Sequence, residues 1–337
     1  MKRSMHGWCG AALGLLVVTV CPSPTWAEAI KIGTLLTAGG GPLYVAKDRG
    51  YFSAEGLDAE LVPFDAGQPV AVAVVAGAID FGSAGVTSAL YTLAGQGELR
   101  IISGATYDNA EFHAAAIVAS NAAYAAGLVS VKDLVGRTVG LTQIGSTYHY
   151  ALAIVTEKYG IDLKSMRTLP LQSFSNLASA VTGGQSDAAV MTTASALPLL
   201  AADKAKLVAW VGDEVPWQVS AVWASTKTAT ERRDTVQRFL RAVRKGAHDC
   251  YVATVGARGE RKDGPDAPAI LGIVAHYTGL TVAQVEGSIG YTDPELRIDE
   301  KDIRRQIEWY RSQGMIKGDV ALDRVLDPSY VVALPSG

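Results

Sequence analysis

The residues able to do chemistry in this chain of 337 cluster in five short stretches of one kind. Thr37 to Gly41, Asp65 to Gln68, Gly82 to Thr87, Thr142 to Thr147 and Met191 to Ser195 are rich in Gly, Ser and Thr and hold no Lys, Arg, His or Cys. Such loops offer backbone N–H groups, hydroxyls and helix N-termini, which suit an anion or a polar ring held by hydrogen bonds. They offer no catalyst. The chain has no Gly-x-Ser-x-Gly, no Walker loop, no His-Glu-x-x-His and no Gly-x-Gly-x-x-Gly. His113 and His149 have no Cys, His or carboxylate partner at metal-ligand spacing, so no metal site is expected.

The elements that must position these loops come in a duplicated plan. In the first copy a strand over 30–36 leads through Thr37-Ala38-Gly39-Gly40-Gly41 into a helix over 42–49 that stops at Gly50. An alternating strand over 59–64, a loop over 65–68, a helix over 69–76 and a closing turn at 77–82 follow. In the second copy a strand over 137–141, a loop over 142–147, a helix over 148–159, a strand over 167–171, a loop over 172–175, a helix over 176–181 and a turn at 184–190 repeat the order. Gly50 matches Gly160, Pro63 matches Pro170, and Gly77-x-x-Asp80 matches Gly184-x-x-Asp187. Strand and helix alternate, which predicts two α/β lobes, each a parallel sheet with helices on both faces. Ligands of such sheets lie beyond the carboxyl ends of the strands, where the five loops fall. Asp80 and Asp187 close their copies at matching positions, which reads as a shared structural role in the turn.

Two apolar stretches, 112–119 and 218–225, flank the second copy and are the expected crossings between lobes. The division that follows is 28–113 with 223–337 as lobe one and 114–222 as lobe two. Helices over 231–255, 267–278, 281–288 and 300–313 are expected to return and pack on lobe one, and the charged stretch 258–266 to be a solvated loop. Cys250 falls on the apolar face Phe239, Leu240, Val243, Ala247, Cys250, Tyr251, which reads as a buried thiol.

Lys2 and Arg3, an apolar run over 11–20, Pro22-Ser23-Pro24 and small residues near Ala27 and Ala29 form a secretory signal peptide over 1–27. The small-residue rule fits cleavage after Ala27 or after Ala29. In Val18-Thr19-Val20 the bulky Val20 stands just before Cys21, where a bacterial lipobox wants Gly, Ala or Ser, which argues against lipidation there. Loss of 1–27 removes two basic and no acidic residues, leaving 28 against 33 and a net charge of −5. That balance excludes a nucleic-acid surface, which needs a basic stripe.

The run 42–58 (PLYVAKDRGYFSAEGLD) resembles the opening of the periplasmic nitrate, sulfonate, taurine and thiamine-precursor binding proteins of ABC importers. The segments 76–82 (AGAIDFG) and 131–140 (VKDLVGRTVG) and the Gly145-Ser146-Thr147 triplet are similar to the same family, in order and over nearly all of the mature chain. The resemblance implies a type II periplasmic-binding-protein fold, two α/β lobes joined by two crossings. It implies a periplasmic monomer that needs no cofactor, closes on a small-molecule solute and delivers it to an inner-membrane permease. It places ligand contacts at Thr37, Gly40 and Gly41, at Gly85, Val86 and Thr87, at Gly145, Ser146 and Thr147, and at Thr192.

To these the loop positions add Asp65, Gln68 and Gln143, and bordering aromatics add Tyr107 and Tyr148. Trp217 beside Pro216 is placed either to wall the cleft or to serve as a structural Trp. The expected solute is a small organic anion such as a sulfonate or carboxylate, with an aromatic one allowed. Thiamine-pyrimidine binders of the family carry an Asp-Trp or similar pair after the first strand, where this chain has Leu36-Thr37. Binding of a thiamine-pyrimidine precursor and presentation of the solute to a membrane sensor are the alternative readings. A pyrimidine synthase shares the fold, but it needs a lysine for pyridoxal and an intracellular setting, and these loops have no lysine.

Overall fold

The structure is a computed structural model that describes residues 27–318 and 320–335. The expected signal peptide, with Cys21, lies outside the described residues except for Ala27. No helix among the described residues is long and apolar enough to cross a membrane.

Thirteen strands form three sheets among the described residues. The first sheet contains β1 (Glu28–Thr34), β2 (Leu57–Pro63), β3 (Phe81–Gly85) and β4 (Leu99–Gly104). The small hinge sheet contains β5 (Thr106–Asp108). The second large sheet contains β6 (Ala115–Ser120), β7 (Thr138–Leu141), β8 (Arg167–Pro170), β9 (Ala188–Thr192) and β10 (Ala205–Trp210). The chain then returns through β11 (Trp217–Gln218) to the hinge, β12 (Ser220–Ser225) to the first sheet and β13 (Tyr291–Thr292) to the hinge.

The first sheet is ordered β2-β1-β3-β12-β4 and the second β8-β7-β9-β6-β10, so the duplicated plan read from the sequence survives as one topology used twice. Each sheet departs from the expected parallel arrangement at one strand. β12 runs antiparallel to β3 and β4, and β6 antiparallel to β9 and β10, because each strand enters its sheet straight from a crossing rather than through a helix.

The paired carboxylates have matching structural jobs. Asp80 Oδ2 accepts the Lys31 N–H at 2.7 Å, and Asp187 Oδ2 accepts the Thr138 N–H at 2.7 Å, each fastening the first strand of its copy to the closing turn. Gly50 and Gly160 both stop their helices in the left-handed region, at φ 70° and 69°, which a side chain would strain.

The expected crossings shift. The stretches 112–119 and 218–225 contribute mainly to the two large sheets as β6 and β12. The links themselves run through the hinge sheet β11-β5-β13, where Trp217 pairs with Asp108 and Gln218 with Tyr107. The expected boundary at 222/223 falls inside β12, all of which lies in the first sheet.

The helix Arg233–Thr254 packs on Gly41–Asp48, with Phe239 stacked on Phe81 at 3.9 Å and Cys250 buried. Gly246 permits the approach, since a Cβ there would lie 2.2 Å from the Pro42 carbonyl oxygen. The later helices do not all stay with the first half as expected. Val282–Glu286 contacts the second-half helix Thr193–Ala201, and Glu300–Ser312 contacts Ser88–Gly95, Thr147–Lys158 and β11 together. Their apolar faces meet both halves at the hinge.

Candidate functional site

The cleft between the large sheets encloses about 830 Å³ of empty space, part of it open to solvent. Six helices begin on it: Gly41–Asp48, Gly67–Val75 and Ser88–Gly95 from the first half, and Thr147–Lys158, Phe174–Thr182 and Thr193–Ala201 from the second. Each start leaves N–H groups without an intrahelical acceptor and carries the positive end of the helix dipole.

Polar caps fix four of these starts. Thr87 Oγ1 accepts from Leu90 N at 3.3 Å, Ser146 Oγ from His149 N at 3.3 Å, Ser173 Oγ from Asn176 N at 3.2 Å and Thr192 Oγ1 from Ser195 N at 3.1 Å. Each such cap is worth about 1 kcal/mol to its helix. A hydroxyl that accepts a helix N–H keeps its own proton, so Thr87 and Ser146 present donors to the cleft.

Nine of the positions expected from the sequence line this cleft: Thr37, Gly40 and Asp65, then Gly85 and Thr87, then Ser146, Thr147, Tyr148 and Thr192. Seven do not. Gly41 is buried within its helix, where a Cβ would approach Cys250 Sγ and the Val274 side chain at 3.5 Å. Val86 is a core residue whose carbonyl faces Tyr310. Tyr107 belongs to the hinge sheet, with its hydroxyl 3.3 Å from Asp299 Oδ2.

Trp217 is fully buried behind the hinge, and its Nε1 donates to Asp108 Oδ2 at 3.0 Å; the structural alternative for this residue holds. Gln143 reaches Gln172 Oε1 at 3.4 Å. Gln68 and Gly145 form the lip instead of the lining: Gln68 Nε2 donates to the Ile144 carbonyl at 3.0 Å and Ser88 N donates to the Gly145 carbonyl at 2.9 Å. Both bonds cross from one half to the other.

The structure also brings in residues that sequence reasoning missed. Thr106 reaches the cleft from the hinge strand β5, Val219 and Ser220 from the junction of β11 with β12, and Ser288 and Gly290 from the returning C-terminal part. Nothing in their local pattern marks them. Phe174 had a signal, since it opens the helix that follows β8, in the stretch 172–175 read from the sequence as a loop at a strand's carboxyl end. It packs edge-on against Tyr148 at 5.5 Å, giving the cleft one aromatic wall.

Among the described residues no Lys, Arg or His lines the cleft, and Asp65, exposed at the rim, is the one carboxylate that does. Burial pushes the Tyr148 phenol up, so it stays protonated. Burial drives His149 down to about 4, so the ring is neutral at physiological pH. Its Nδ1 accepts the Gly145 N–H at 3.1 Å, which holds the Gly145-Ser146-Thr147 turn. Among the described residues no group of three or more His, Cys, Asp or Glu side chains could hold a metal ion.

Two sheets of one topology, a two-link hinge and a cleft between them define a periplasmic-binding-protein fold. Residues 39–253 match the family described as NMT1/THI5 like, and the chain belongs to that family. The alkanesulfonate-binding protein SsuA from Xanthomonas axonopodis pv. citri, bound to MOPS, is similar over 91% of this chain and 99% of its own, with 21% identity and a TM-score of 0.69. The periplasmic nitrate-binding protein NrtA from Synechocystis PCC 6803 is similar over 90% of this chain and 87% of its own, with 12% identity and a TM-score of 0.68. A mutant DszB in complex with biphenyl-2-sulfinic acid is similar over 90% and 97%, with 16% identity and a TM-score of 0.60. No curated protein matches the chain.

Proposed function

We propose that this chain is the periplasmic solute-binding component of an ABC importer and that it captures a small organic anion, a sulfonate or carboxylate, in the cleft. One observation carries the reading: six helix starts, three from each half, converge with hydroxyl donors on a cleft that, among the described residues, no cationic side chain lines. A small anion is stabilised there by N–H groups and dipoles. Asp65 opposes it only from the exposed rim, where water and salt screen the charge. The Tyr148–Phe174 wall favours a solute with an organic body over a bare inorganic ion. Because the donors come from both halves, the solute makes its full set of contacts only when they are closed. Binding therefore shifts the population toward the form a permease would receive. No covalent step and no cofactor enter this reading.

The test is a thermal-shift screen of mature protein that has been unfolded and refolded to strip carried solute, against alkyl and aryl sulfonates, carboxylates, nitrate and pyrimidines. A solute at 100 times its Kd adds about 2.7 kcal/mol, a shift of several degrees. A sulfonate or carboxylate hit that Ser146→Leu abolishes supports the assignment. Hits confined to pyrimidines would overturn the anion while keeping the binding role. Silence from well-folded protein would count against capture of any of these solutes.

A further inference from the structure

Behind the cleft, one buried hydroxyl lies between the two halves of the site. Tyr310, on the Glu300–Ser312 helix, is fully buried, and its Oη stands 2.9 Å from the Ser146 carbonyl and 3.3 Å from the Val86 carbonyl. These carbonyls belong to opposite halves. Ser146 caps Thr147–Lys158 in the second, while Val86 precedes Thr87, which caps Ser88–Gly95 in the first. A phenol has one proton, so the hydroxyl shares it between two acceptors. That sharing exists only while both segments stay within its reach.

The rest of the helix anchors this hydroxyl. Asp302 Oδ1 accepts from the Tyr150 hydroxyl of the second half at 2.7 Å, and its Oδ2 accepts from Gln218 N in the hinge at 2.9 Å. Eight residues on, about two turns, Tyr310 packs against Tyr91 at 5.7 Å and Tyr150 at 6.2 Å, one ring from each half.

We infer that Tyr310 is a positioning residue for solute capture: its shared hydroxyl ties the Val86-Thr87 and Ser146-Thr147 segments together in the closed form, and so sets how far the free protein closes and how long a solute is held. It acts on the cleft without touching it. The inference rests on the solute-capture reading only for its second consequence; the first is a property of the free protein.

Tyr310→Phe keeps the ring and removes the hydroxyl. Tyr91→Phe is the matched control, because Tyr91 is equally buried and its hydroxyl donates at 3.0 Å to Gln306 Oε1 without reaching the second half. Spin labels at Glu60→Cys and Lys164→Cys, both exposed and one in each half, report the separation by pulsed electron resonance, and buried Cys250 escapes labelling. In ligand-free protein Tyr310→Phe is expected to move the distribution to longer distances while Tyr91→Phe leaves it at the parent's. With benzenesulfonate as the probe, Tyr310→Phe releases about 3- to 10-fold faster, the loss of one buried hydrogen bond. An unmoved distribution in Tyr310→Phe, or an equal shift in Tyr91→Phe, overturns the inference. If the parent takes neither benzenesulfonate nor any other solute of the screen, the proposed function fails, and the ligand-free distances still decide the role of Tyr310.

Discussion

Replacing Gly85 with alanine should weaken solute binding without weakening either half of the protein. Gly85 ends β3 on the first side of the cleft, and a Cβ there would lie 2.7 Å from Thr147 Cγ2 and 2.9 Å from Thr147 Cβ on the second side. Carbon atoms settle at about 3.5–4.0 Å, so the shortfall is about 1 Å. Neither side can give locally. β3 is held between β1 and β12, and the Thr147 hydroxyl donates to the Val219 carbonyl at 3.1 Å. The clash is relieved by parting the halves, which charges the cost to the closed form. Overpacking costs about 1–3 kcal/mol, which is a loss of about 5- to 150-fold in affinity. Gly85 is not among the glycines at positive φ, so alanine strains no backbone and the free protein should melt near the parent temperature. Calorimetric titration of the parent, Gly85→Ala, Thr147→Ser and the double variant checks this, since serine removes the methyl at 2.7 Å and keeps the hydroxyl. The double variant should recover part of the loss. A Kd for Gly85→Ala within twofold of the parent, or no recovery in the double variant, refutes the reasoning.

Three more outcomes are expected. Burial pushes Asp108 up to about 7 from an ordinary value near 3.9, so its protonated form is favoured in the fold and its contribution to stability falls as pH rises from about 4 to about 7, by at most about 1.4 kcal/mol per unit. The melting-temperature gap between the parent and Asp108→Asn should therefore narrow across that range, and a gap that widens contradicts the assignment. Trp217→Phe takes one donor from the buried Asp108 carboxylate, at a cost of about 1–3 kcal/mol; it should lower Tm by several degrees and leave Kd unchanged, because Trp217 does not line the cleft. Cys250 is buried with its thiol pushed up to about 12 by desolvation, so a thiol reagent should label native mature protein far more slowly than protein in denaturant.

The sequence alone showed the duplicated strand–helix plan, and its matched landmarks have matched geometry in the fold: Gly50 and Gly160 in the left-handed region, Asp80 and Asp187 each accepting a backbone N–H from the first strand of its copy. It also showed where the cleft would fall, because a loop at a strand's carboxyl end is defined by local periodicity, and hydroxyl and glycine residues in such loops have no core to enter. Ser146, Thr147 and Thr87 were legible for that reason. Residues whose side depends on distant packing were not. The aromatic at 217 could wall a cleft or fill a core; it fills the core, where Asp108, about a hundred residues earlier, accepts its indole N–H. Thr106, on a hinge strand of three residues, Ser220, at the first position of β12, and Ser288, just past a helix of five residues, reach the cleft from short or junction segments that leave no period in the sequence. The Glu300–Ser312 helix is plainly amphipathic in sequence, but an apolar stripe does not name its partner. Only the tertiary structure seats that stripe across both halves, where the Tyr310 hydroxyl finds one carbonyl from each.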